Sequence, residues 1–328
     1  MSILRAKKGG RAGHPRDFAG GTPTVFPMKI GVQLPEVEYE ASWKAIAGMA
    51  RLAEDVGLDS IWVGDHLLYD LPEGRRGPWE AWSLLAGLAA VTERVQLGPL
   101  VAALPFHNPA VLAKKAATVD EISGGRLILG VGAGWNRVEF DAFGLPYDRR
   151  VDRFAEAFTI VRTLLTEGRV DFEGEFYKLV DCELLPRPSR AGGPPLLIGS
   201  NGPRMLAITL PHVAAWNSWY ADFHNDPKRV AHLVETIDAA CVDAGRPPGE
   251  IVKTVAVYIG FGGAPTRRTG GRPLLGNDEE IAGHLRDVAA AGISHVQAVL
   301  DPIVPETIEK LGDIAARFRD MATVEKRH

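Results

Sequence analysis

Residues 57–68 read GLDSIWVGDHLL, and this stretch contains the end of one structural element and the whole of the next. Gly57 follows a segment whose apolar residues recur every three or four positions, as in an amphipathic helix that ends at a left-handed glycine. An apolar run then predicts a buried strand over 60–66, which ends in two titratable side chains, Asp65 and His66. The stretch therefore predicts a helix, a buried strand and polar chemistry at the carboxyl end of that strand.

The same alternation continues along the chain from Met28. Strands are predicted over 29–35, 60–66, 95–102, 126–134, 195–200, 212–220, 251–260 and 294–300. Helices are predicted over 41–56, 78–92, 109–122, 149–167, 203–210, 227–244, 278–291 and 304–321. The strands are rich in Val, Ile and Leu, as parallel strands covered on both faces are. Eight such units predict an α/β fold of the (β/α)8 TIM-barrel type, with an open doubly wound sheet as the alternative.

Three segments depart from the repeat. Residues 169–190 contain short β-like pieces and no helical pattern, which predicts a hairpin inserted after the fourth helix. Residues 261–276 are rich in Gly and Arg and predict a mobile loop, either a lid over the barrel mouth or a merely solvated loop. Residues 1–27 are basic and rich in Gly and Pro, which predicts a disordered tail. A single domain is therefore expected over 28–328.

Composition excludes several classes of protein. Of 328 residues, 46% are hydrophobic and 24% are charged, as in a globular chain, and the net charge of -4 lacks the basic excess of a nucleic-acid-binding protein. The sequence has no apolar run of membrane-spanning length and no His or Cys pair at metal-ligand spacing. Its two cysteines, Cys182 and Cys241, form no CxxC pattern, so we expect a protein of the reducing cytoplasm with no metal.

In a barrel of this type the active site is built at the carboxyl ends of the strands. His66 is the candidate acid/base, and Asp65 beside it is expected to orient the imidazole, although an isolated His is more often structural. The stretch GVGAGWN (130–136) lacks dinucleotide-motif spacing and has no helix predicted directly after it; its glycines suit close approach to a flat ligand. The candidate cofactor-binding residues at the strand ends are Gln33, Leu100, Val101, Gly134, Trp135, Asn136 and Trp216.

The stretch IGSNGPRML (198–206) predicts a strand, a turn and the start of a helix. Backbone N–H groups in such a turn, together with the positive end of the helix, suit a phosphate. Gly199, Ser200, Asn201 and Gly202 are therefore candidate cofactor-phosphate residues. The alternative is that Ser200 or Asn201 only caps the helix.

The chain resembles the bacterial luciferase-like monooxygenase superfamily over about residues 28–320. The resemblance rests on GLDSIWVGDHLL, ERVQLGPLV, DEISGGRLILGVGAGW, the FEGEFY hairpin and PPLLIGSNGPRML. The GDH of the second strand is similar to the branch that uses the deazaflavin coenzyme F420. The resemblance implies a flavin-type ring in the barrel mouth near His66, a cis peptide at Leu100–Val101 behind that ring, and the cofactor phosphate at Gly199 to Gly202. Two departures are Ala215, where many relatives are acidic, and Trp135, where some deazaflavin enzymes carry glutamate.

Three functions follow as alternatives. The first is hydride transfer between F420 and a small organic substrate, and the second is an FMN-dependent monooxygenase that receives reduced flavin from a separate reductase. The third is a cofactor-binding protein without turnover. The resemblance also implies a homodimer, and it names neither the substrate nor the direction of hydride transfer.

Overall fold

The computed structural model describes residues 28–262 and 271–324, so the predicted tail and the middle of the predicted Gly- and Arg-rich loop lie outside the described residues. The strands are β1 (Lys29–Gln33), β2 (Ser60–Val63), β3 (Tyr69–Leu71), β4 (Gly74–Arg76), β5 (Gln96–Pro99), β6 (Ala102–Ala103), β7 (Leu129–Gly132), β8 (Arg169–Glu173), β9 (Lys178–Glu183), β10 (Leu196–Gly199), β11 (Ala215–Ser218), β12 (Val252–Gly260) and β13 (His295–Asp301). The α-helices are α1 (Trp43–Asp55), α2 (Ala81–Val91), α3 (Pro109–Ile122), α4 (Arg137–Phe143), α5 (Arg150–Glu167), α6 (Pro203–Thr209), α7 (Tyr220–Phe223), α8 (Pro227–Asp243), α9 (Asp278–Ala290) and α10 (Pro305–Val324).

The parallel strands form a closed barrel. Their order is β5-β2-β1-β13-β12-β11-β10-β7-β6, and β5 and β6 are two halves of the third barrel strand. The ring closes because β5 pairs with β2, β6 pairs with β7, and Leu97 bridges to Leu127. This arrangement confirms the predicted (β/α)8 barrel and removes the open sheet as an alternative.

Local sequence sets the ends of the helices around the barrel. The side chain of Asn108 accepts hydrogen bonds from the backbone at the start of α3, and Pro109 occupies the first helical position, where its missing N–H costs nothing. At the other end of α5, Gly168 adopts the left-handed conformation that a side chain disfavours. Capping residues of this kind end the helices and let the chain turn back into the next strand. All strand carboxyl ends therefore lie on one face of the barrel.

The barrel interior is partly polar. In its buried centre, Asn217 Nδ2 donates to Thr254 Oγ1 and to Gln297 Oε1, each at 2.8 Å. Nearer the amino ends of the strands, Ser60 Oγ lies 2.7 Å from both Trp62 Nε1 and His295 Nε2. Each of these side chains makes at least one hydrogen bond, as buried polar groups generally must, although Gln297 Nε2 has no partner among the described residues.

Some elements differ from the sequence prediction. The hairpin β8–β9 lies where it was predicted, after the fourth barrel helix, α5. A second hairpin, β3–β4, and the helix α4 were not predicted, and the expectation that no helix follows GVGAGWN directly was wrong. The β3–β4 hairpin and the helix α4 are too short for a periodic pattern of apolar residues to predict them. The start of α4 also has no capping hydrogen bond from the side chain of Asn136.

Candidate active site

A cavity of about 760 Å³ opens at the carboxyl ends of the barrel strands. Ten of the predicted site residues line it: Gln33, Asp65, His66, Leu100, Val101, Gly134, Trp135, Asn136, Gly199 and Ser200. Three predicted residues, Asn201, Gly202 and Trp216, lie outside that lining. The structure therefore brings the ends of strands β1, β2, β5, β7 and β10 together around one space, which is large enough for a small-molecule cofactor.

His66 lies in the cavity wall between two glutamates. Its Nδ1 is 2.8 Å from Glu139 Oε1, and its Nε2 is 3.9 Å from Glu36 Oε1. Burial alone lowers the pKa of His66, but the charges of Glu36 and Glu139 and the hydrogen bond to Glu139 outweigh it and raise the pKa above its ordinary value. The geometry therefore favours an imidazolium that donates from Nδ1 to Glu139.

Glu139 is held by α4 and is fully buried. Its Oε2 accepts from the backbone N–H of Leu67 at 3.0 Å, and its Oε1 accepts from the Asn136 side chain, which also donates to the carbonyl of Leu68. A buried carboxylate persists when charged and neutral donors surround it, as they do here. Glu139 thus links α4 to the segment that follows β2 and fixes the orientation of the His66 ring.

Glu36 faces His66 from the opposite side. It accepts a hydrogen bond from Gln33 Nε2 and one from the Tyr69 hydroxyl, each at 3.1 Å. Glu36 follows β1 after only two residues, whereas Tyr69 begins the unpredicted hairpin β3–β4. The hairpin therefore completes the wall that the strand ends begin.

Asp65 makes no hydrogen bond to the imidazole of His66, so the prediction that it orients this ring was wrong, although its charge does contribute to raising the pKa of His66. Its Oδ2 lies 2.7 Å from His107 Nε2 and accepts from the backbone N–H of Ala103 at 2.9 Å. Neighbouring side chains on an extended segment point in opposite directions, so Asp65 turns toward the third barrel strand while His66 turns toward α4. Asp65 lines the cavity and ties β2 to β6 at its edge.

Three rings form an aromatic wall of the cavity. The centroid of the His66 ring lies 4.7 Å from that of Tyr69 and 5.8 Å from that of Trp135. Trp135 is 61% exposed and lines the cavity, so its indole is accessible to a ligand there. We refer to His66, Tyr69 and Trp135 as the aromatic wall.

The floor of the cavity is flat and apolar. The peptide bond between Leu100 and Val101 is cis, as the family resemblance implied. A Cβ on Gly132 would lie 2.8 Å from the Val101 side chain, and one on Gly199 would lie 2.9 Å from it. Only glycine at these two positions lets Val101 pack against the strand backbone, and the resulting surface is smooth enough for a planar ring.

The turn between β10 and α6 is held together by its own side chains. Ser200 Oγ accepts from the Gly202 N–H at 3.2 Å, and the Asn201 amide donates to Ser218 and Asp222 at 2.9 Å. Buried Trp216 supports the turn from behind, where its indole N–H bonds to Ser200 O and Asn201 Oδ1. The predicted contact of Trp216 with the cofactor is therefore corrected to a structural role behind the turn.

The residues at the floor fit a flavin-type ring. Gln33 Oε1 is buried at the cavity and has no hydrogen-bond partner among the described residues, so it offers an acceptor to a ligand N–H. The smooth apolar surface of Leu100, Val101 and Gly132 suits the face of such a ring. Within residues 28–262 and 271–324, no cluster of potential metal ligands occurs, and none of the helices has the length and apolarity of a membrane span.

Sequence reasoning missed Glu36, Tyr69, His107 and Glu139. Glu36 follows the first predicted strand directly, and a search for acids just beyond strand ends would have included it. Glu139 lies 73 positions from His66, and only the short helix α4 brings the two side chains together. The sequence carries no local signal for that contact.

The fold and the cavity define a TIM-barrel protein with a candidate ligand site at the carboxyl ends of its strands. The chain belongs to the luciferase-like monooxygenase family, whose family model matches residues 26–262. This match confirms the resemblance that the sequence motifs indicated.

Named relatives include F420-dependent enzymes and monooxygenases. The chain is 41% identical over 181 residues to the F420-dependent glucose-6-phosphate dehydrogenase of Amycolatopsis mediterranei (strain U-32), covering 54% of this chain and 53% of that one. It is 34% identical over 222 residues to the 5,10-methylenetetrahydromethanopterin reductase of Archaeoglobus fulgidus, covering 67% and 60%. The match to the pyrimidine monooxygenase RutA of Cronobacter sakazakii is 29% over 253 residues, covering 74% and 73%. The chain thus spans little more than half the length of the first two relatives.

Solved structures share the fold. An F420-dependent secondary alcohol dehydrogenase in complex with an F420-acetone adduct superposes with a TM-score of 0.75 at 20% identity, covering 88% of this chain and 98% of that one. A riboflavin lyase (RcaE) with modified FMN superposes with a TM-score of 0.77 at 16% identity, covering 90% and 92%. At this identity the likeness establishes the barrel fold alone.

Proposed function

We propose that the protein is an oxidoreductase that transfers hydride between coenzyme F420 and a small organic substrate. The observation that carries this proposal is the pair of glutamates that raises the pKa of His66 at the cavity wall. When bound, the deazaflavin supplies a ring carbon that gives or takes hydride. The name of the F420-dependent relative from Amycolatopsis supports the same cofactor.

His66 is the acid/base of the proposed reaction. Hydride transfer to or from an oxygen-bearing carbon changes the charge on that oxygen, and a positioned imidazole can supply or take the matching proton. Glu139 fixes the ring through Nδ1, which leaves Nε2 as the nitrogen that exchanges a proton with the substrate. Glu36 and Glu139 are positioning residues because they act through the imidazole.

The cofactor would be held by two parts of the cavity. Its ring would lie against the floor at Leu100 and Val101, with Gln33 Oε1 as an acceptor for a ring N–H. Its phosphate would meet the backbone of the turn from Gly199 to Gly202. Beside that turn, Arg204 in the first turn of α6 carries a positive charge and forms a salt bridge to Asp152.

An FMN-dependent monooxygenase is the second candidate. The description of the family and the similarity to pyrimidine monooxygenase RutA favour it, because both point to oxygen chemistry on the same fold. That reaction needs reduced flavin from a separate reductase. A binding protein without turnover has less support, since it gives no reason to keep two glutamates beside a cavity-facing histidine.

The assembly and the compartment are further proposals. We propose that the protein works as a homodimer in the cytoplasm, as the family resemblance implies. Apolar side chains exposed on α3, Val111 and Ile122, provide surface that a second subunit can cover.

Substitution of His66 tests the proposed function. Oxidised and reduced F420 are mixed with a panel of small alcohols, aldehydes and enones, and hydride transfer is followed by stopped-flow absorbance over pH 5–9. His66→Ala is expected to lower the rate by roughly 10²–10⁴ while F420 affinity stays nearly unchanged, since a positioned proton-transfer group contributes that much. His232→Ala is the control, because that imidazole is exposed on α8. An unaltered rate and pH profile in His66→Ala would remove His66 from the mechanism.

A further inference from the structure

We propose that Gly64 is a positioning residue for His66, because the absence of a side chain at Gly64 lets the carboxylate of Glu36 lie beside the imidazole. The use of this contact in proton transfer rests on the proposed function, whereas the contact itself does not. The inference goes beyond that function by giving the glycine of the GDH stretch (64–66) a role at the site.

Space, and not backbone conformation, requires glycine at position 64. Gly64 does not adopt the positive φ that disfavours residues with a side chain. A Cβ on Gly64 would lie 2.5 Å from Glu36 Oε1, 2.7 Å from Glu36 Cδ and 3.0 Å from Glu36 Oε2, and these are the three nearest atoms. A methyl group at this position would therefore overlap with the carboxylate of Glu36, which would have to move.

Glycines within the barrel strands differ from Gly64 in what a side chain would meet. A Cβ on Gly98 would overlap with the backbone oxygen of Ile128, and one on Gly130 would overlap with the backbone oxygen of Pro99. At those two positions a side chain would push neighbouring strands apart, whereas at Gly64 it would push only the end of a flexible side chain. Alanine at position 64 should therefore leave the barrel intact and displace one carboxylate.

The carboxylate oxygen nearest to Gly64 is also the one that faces His66. Glu36 Oε1 lies 3.9 Å from His66 Nε2 and accepts a hydrogen bond from the Tyr69 hydroxyl at 3.1 Å, while Glu36 Oε2 accepts from Gln33 Nε2 at 3.1 Å. The imidazole and the hydroxyl occupy two sides of Oε1, and Gly64 lies on a third. Because these sides are filled, a methyl group at Gly64 should turn Oε1 away from the imidazole and toward the cavity that Glu36 lines.

Three carboxylates act on the imidazole of His66. Glu36 faces Nε2, Glu139 lies 2.8 Å from Nδ1, and Asp65 is the preceding residue. Burial lowers the pKa of His66; of the charges that raise it, that of Glu36 acts most strongly, ahead of those of Glu139 and Asp65. Moving the carboxylate of Glu36 away from the ring should therefore lower the pKa of His66.

A double-mutant cycle tests the inference in the full-length protein without cofactor. The His66 ring is titrated by NMR in wild type, in Gly64→Ala, in Glu36→Gln and in the double variant. Gly64→Ala is expected to lower the pKa of His66, as Glu36→Gln does, and to lower it no further when Glu36→Gln is already present, because the charge it displaces is then gone. An unchanged or higher pKa of His66 in Gly64→Ala, or an equal lowering in both backgrounds, would overturn the inference.

Two controls separate a displaced carboxylate from a disturbed strand end. Gly48→Ala adds the same methyl group at an exposed position of α1, where a Cβ meets nothing within 4 Å, and should leave the His66 titration unchanged. In Gly64→Ala the ring resonances of His107, which lies 2.7 Å from Asp65, should keep their wild-type positions. Shifted His107 resonances would show that the substitution moves the strand end itself and would contradict the assigned role.

The outcome is separable from that of the proposed function. The pKa of His66 is measured without cofactor, and F420 affinity is measured by a separate titration. A lowered His66 pKa in Gly64→Ala together with weak F420 binding by wild type would support the positioning role and contradict the proposed cofactor. An unchanged His66 pKa together with tight F420 binding would do the reverse.

Discussion

The protonation of His66 depends on two glutamates that come from different parts of the chain. Glu36 follows β1 and Glu139 belongs to α4, and both carboxylates meet the imidazole at the cavity wall. The raised pKa is thus a property of the assembled barrel, since neither glutamate is near His66 in sequence. The two carboxylates therefore favour the protonated form of the imidazole.

Removing the charge of Glu139 is expected to lower the pKa of His66. Glu139→Gln keeps a hydrogen-bond acceptor for Nδ1 but loses the attraction between carboxylate and imidazolium. The measurement is an NMR titration of the labelled His66 ring in wild type and variant. Glu235→Gln, beside exposed His232, is the control that should leave the His66 titration unchanged. A His66 pKa that is identical in Glu139→Gln and wild type would contradict the assigned role.

The positions of the site residues along the strands explain why part of the candidate site could be predicted from the sequence. His66, Gln33 and Trp135 lie at strand ends, and a strand end can be located from apolar runs. The partner of Asp65 could not be found in this way, because His107 follows the third strand after a break at Leu100–Val101. Which neighbour a carboxylate selects depends on side-chain direction, and adjacency in sequence misled the prediction for Asp65 and His66.

Two substitutions in the turn between β10 and α6 can distinguish phosphate binding by the backbone from phosphate binding by side chains. Ser200→Ala removes one neutral hydrogen bond within the turn and should weaken F420 binding by about 0.5–1.5 kcal/mol. Gly202→Val should weaken F420 binding much more, because its Cβ would enter open space beside Ser200 where the phosphate is proposed to approach. Fluorescence titration of F420 measures both.

The fold should tolerate Gly202→Val, since Gly202 has a φ of -71° and nothing nearer than Ser200 Oγ at 3.6 Å from the added Cβ. Gly249→Val places the same side chain in open space away from the cavity and is the matched control. Equal and negligible effects of Ser200→Ala and Gly202→Val would place the phosphate elsewhere.

The spacing of apolar residues predicted the bounds of some helices and strands more accurately than those of others. The long helices α3, α5, α8 and α9 lie within one residue of their predicted ends, because their apolar stripes and caps agree. The third strand was predicted as continuous over 95–102, yet it is divided into β5 and β6 at the cis peptide. Such a break follows from backbone geometry at the barrel mouth, and residue type alone does not encode it.

A buried histidine in the barrel interior, His295, makes the stability of the whole barrel depend on pH. Burial, with a smaller effect from the charge of Lys29, lowers the pKa of His295 to about 3. The unfolded chain therefore binds a proton at this residue between about pH 6.5 and pH 3, and the folded chain does not. The free energy of unfolding should fall by about 1.4 kcal/mol per pH unit over that window as pH decreases, on account of this residue alone.

A variant isolates that contribution. His295→Asn should be less stable at neutral pH, because it loses the ring that packs against Ser60 and Trp62, but its stability should fall less steeply between pH 6 and pH 5. Urea unfolding at each pH gives the slopes, and His232→Asn, at an exposed position, should keep the wild-type slope. An unchanged slope in His295→Asn would show that the residue titrates alike in both states.

The choice of cofactor is the central claim, and it is tested most directly by titrating the full-length protein with oxidised F420 and with FMN under the same conditions. Fluorescence reports both bindings. We expect micromolar or tighter binding of F420 and weaker binding of FMN, because the GDH strand end and the F420-dependent relatives point to the deazaflavin. Tighter binding of FMN would contradict the account and favour the monooxygenase.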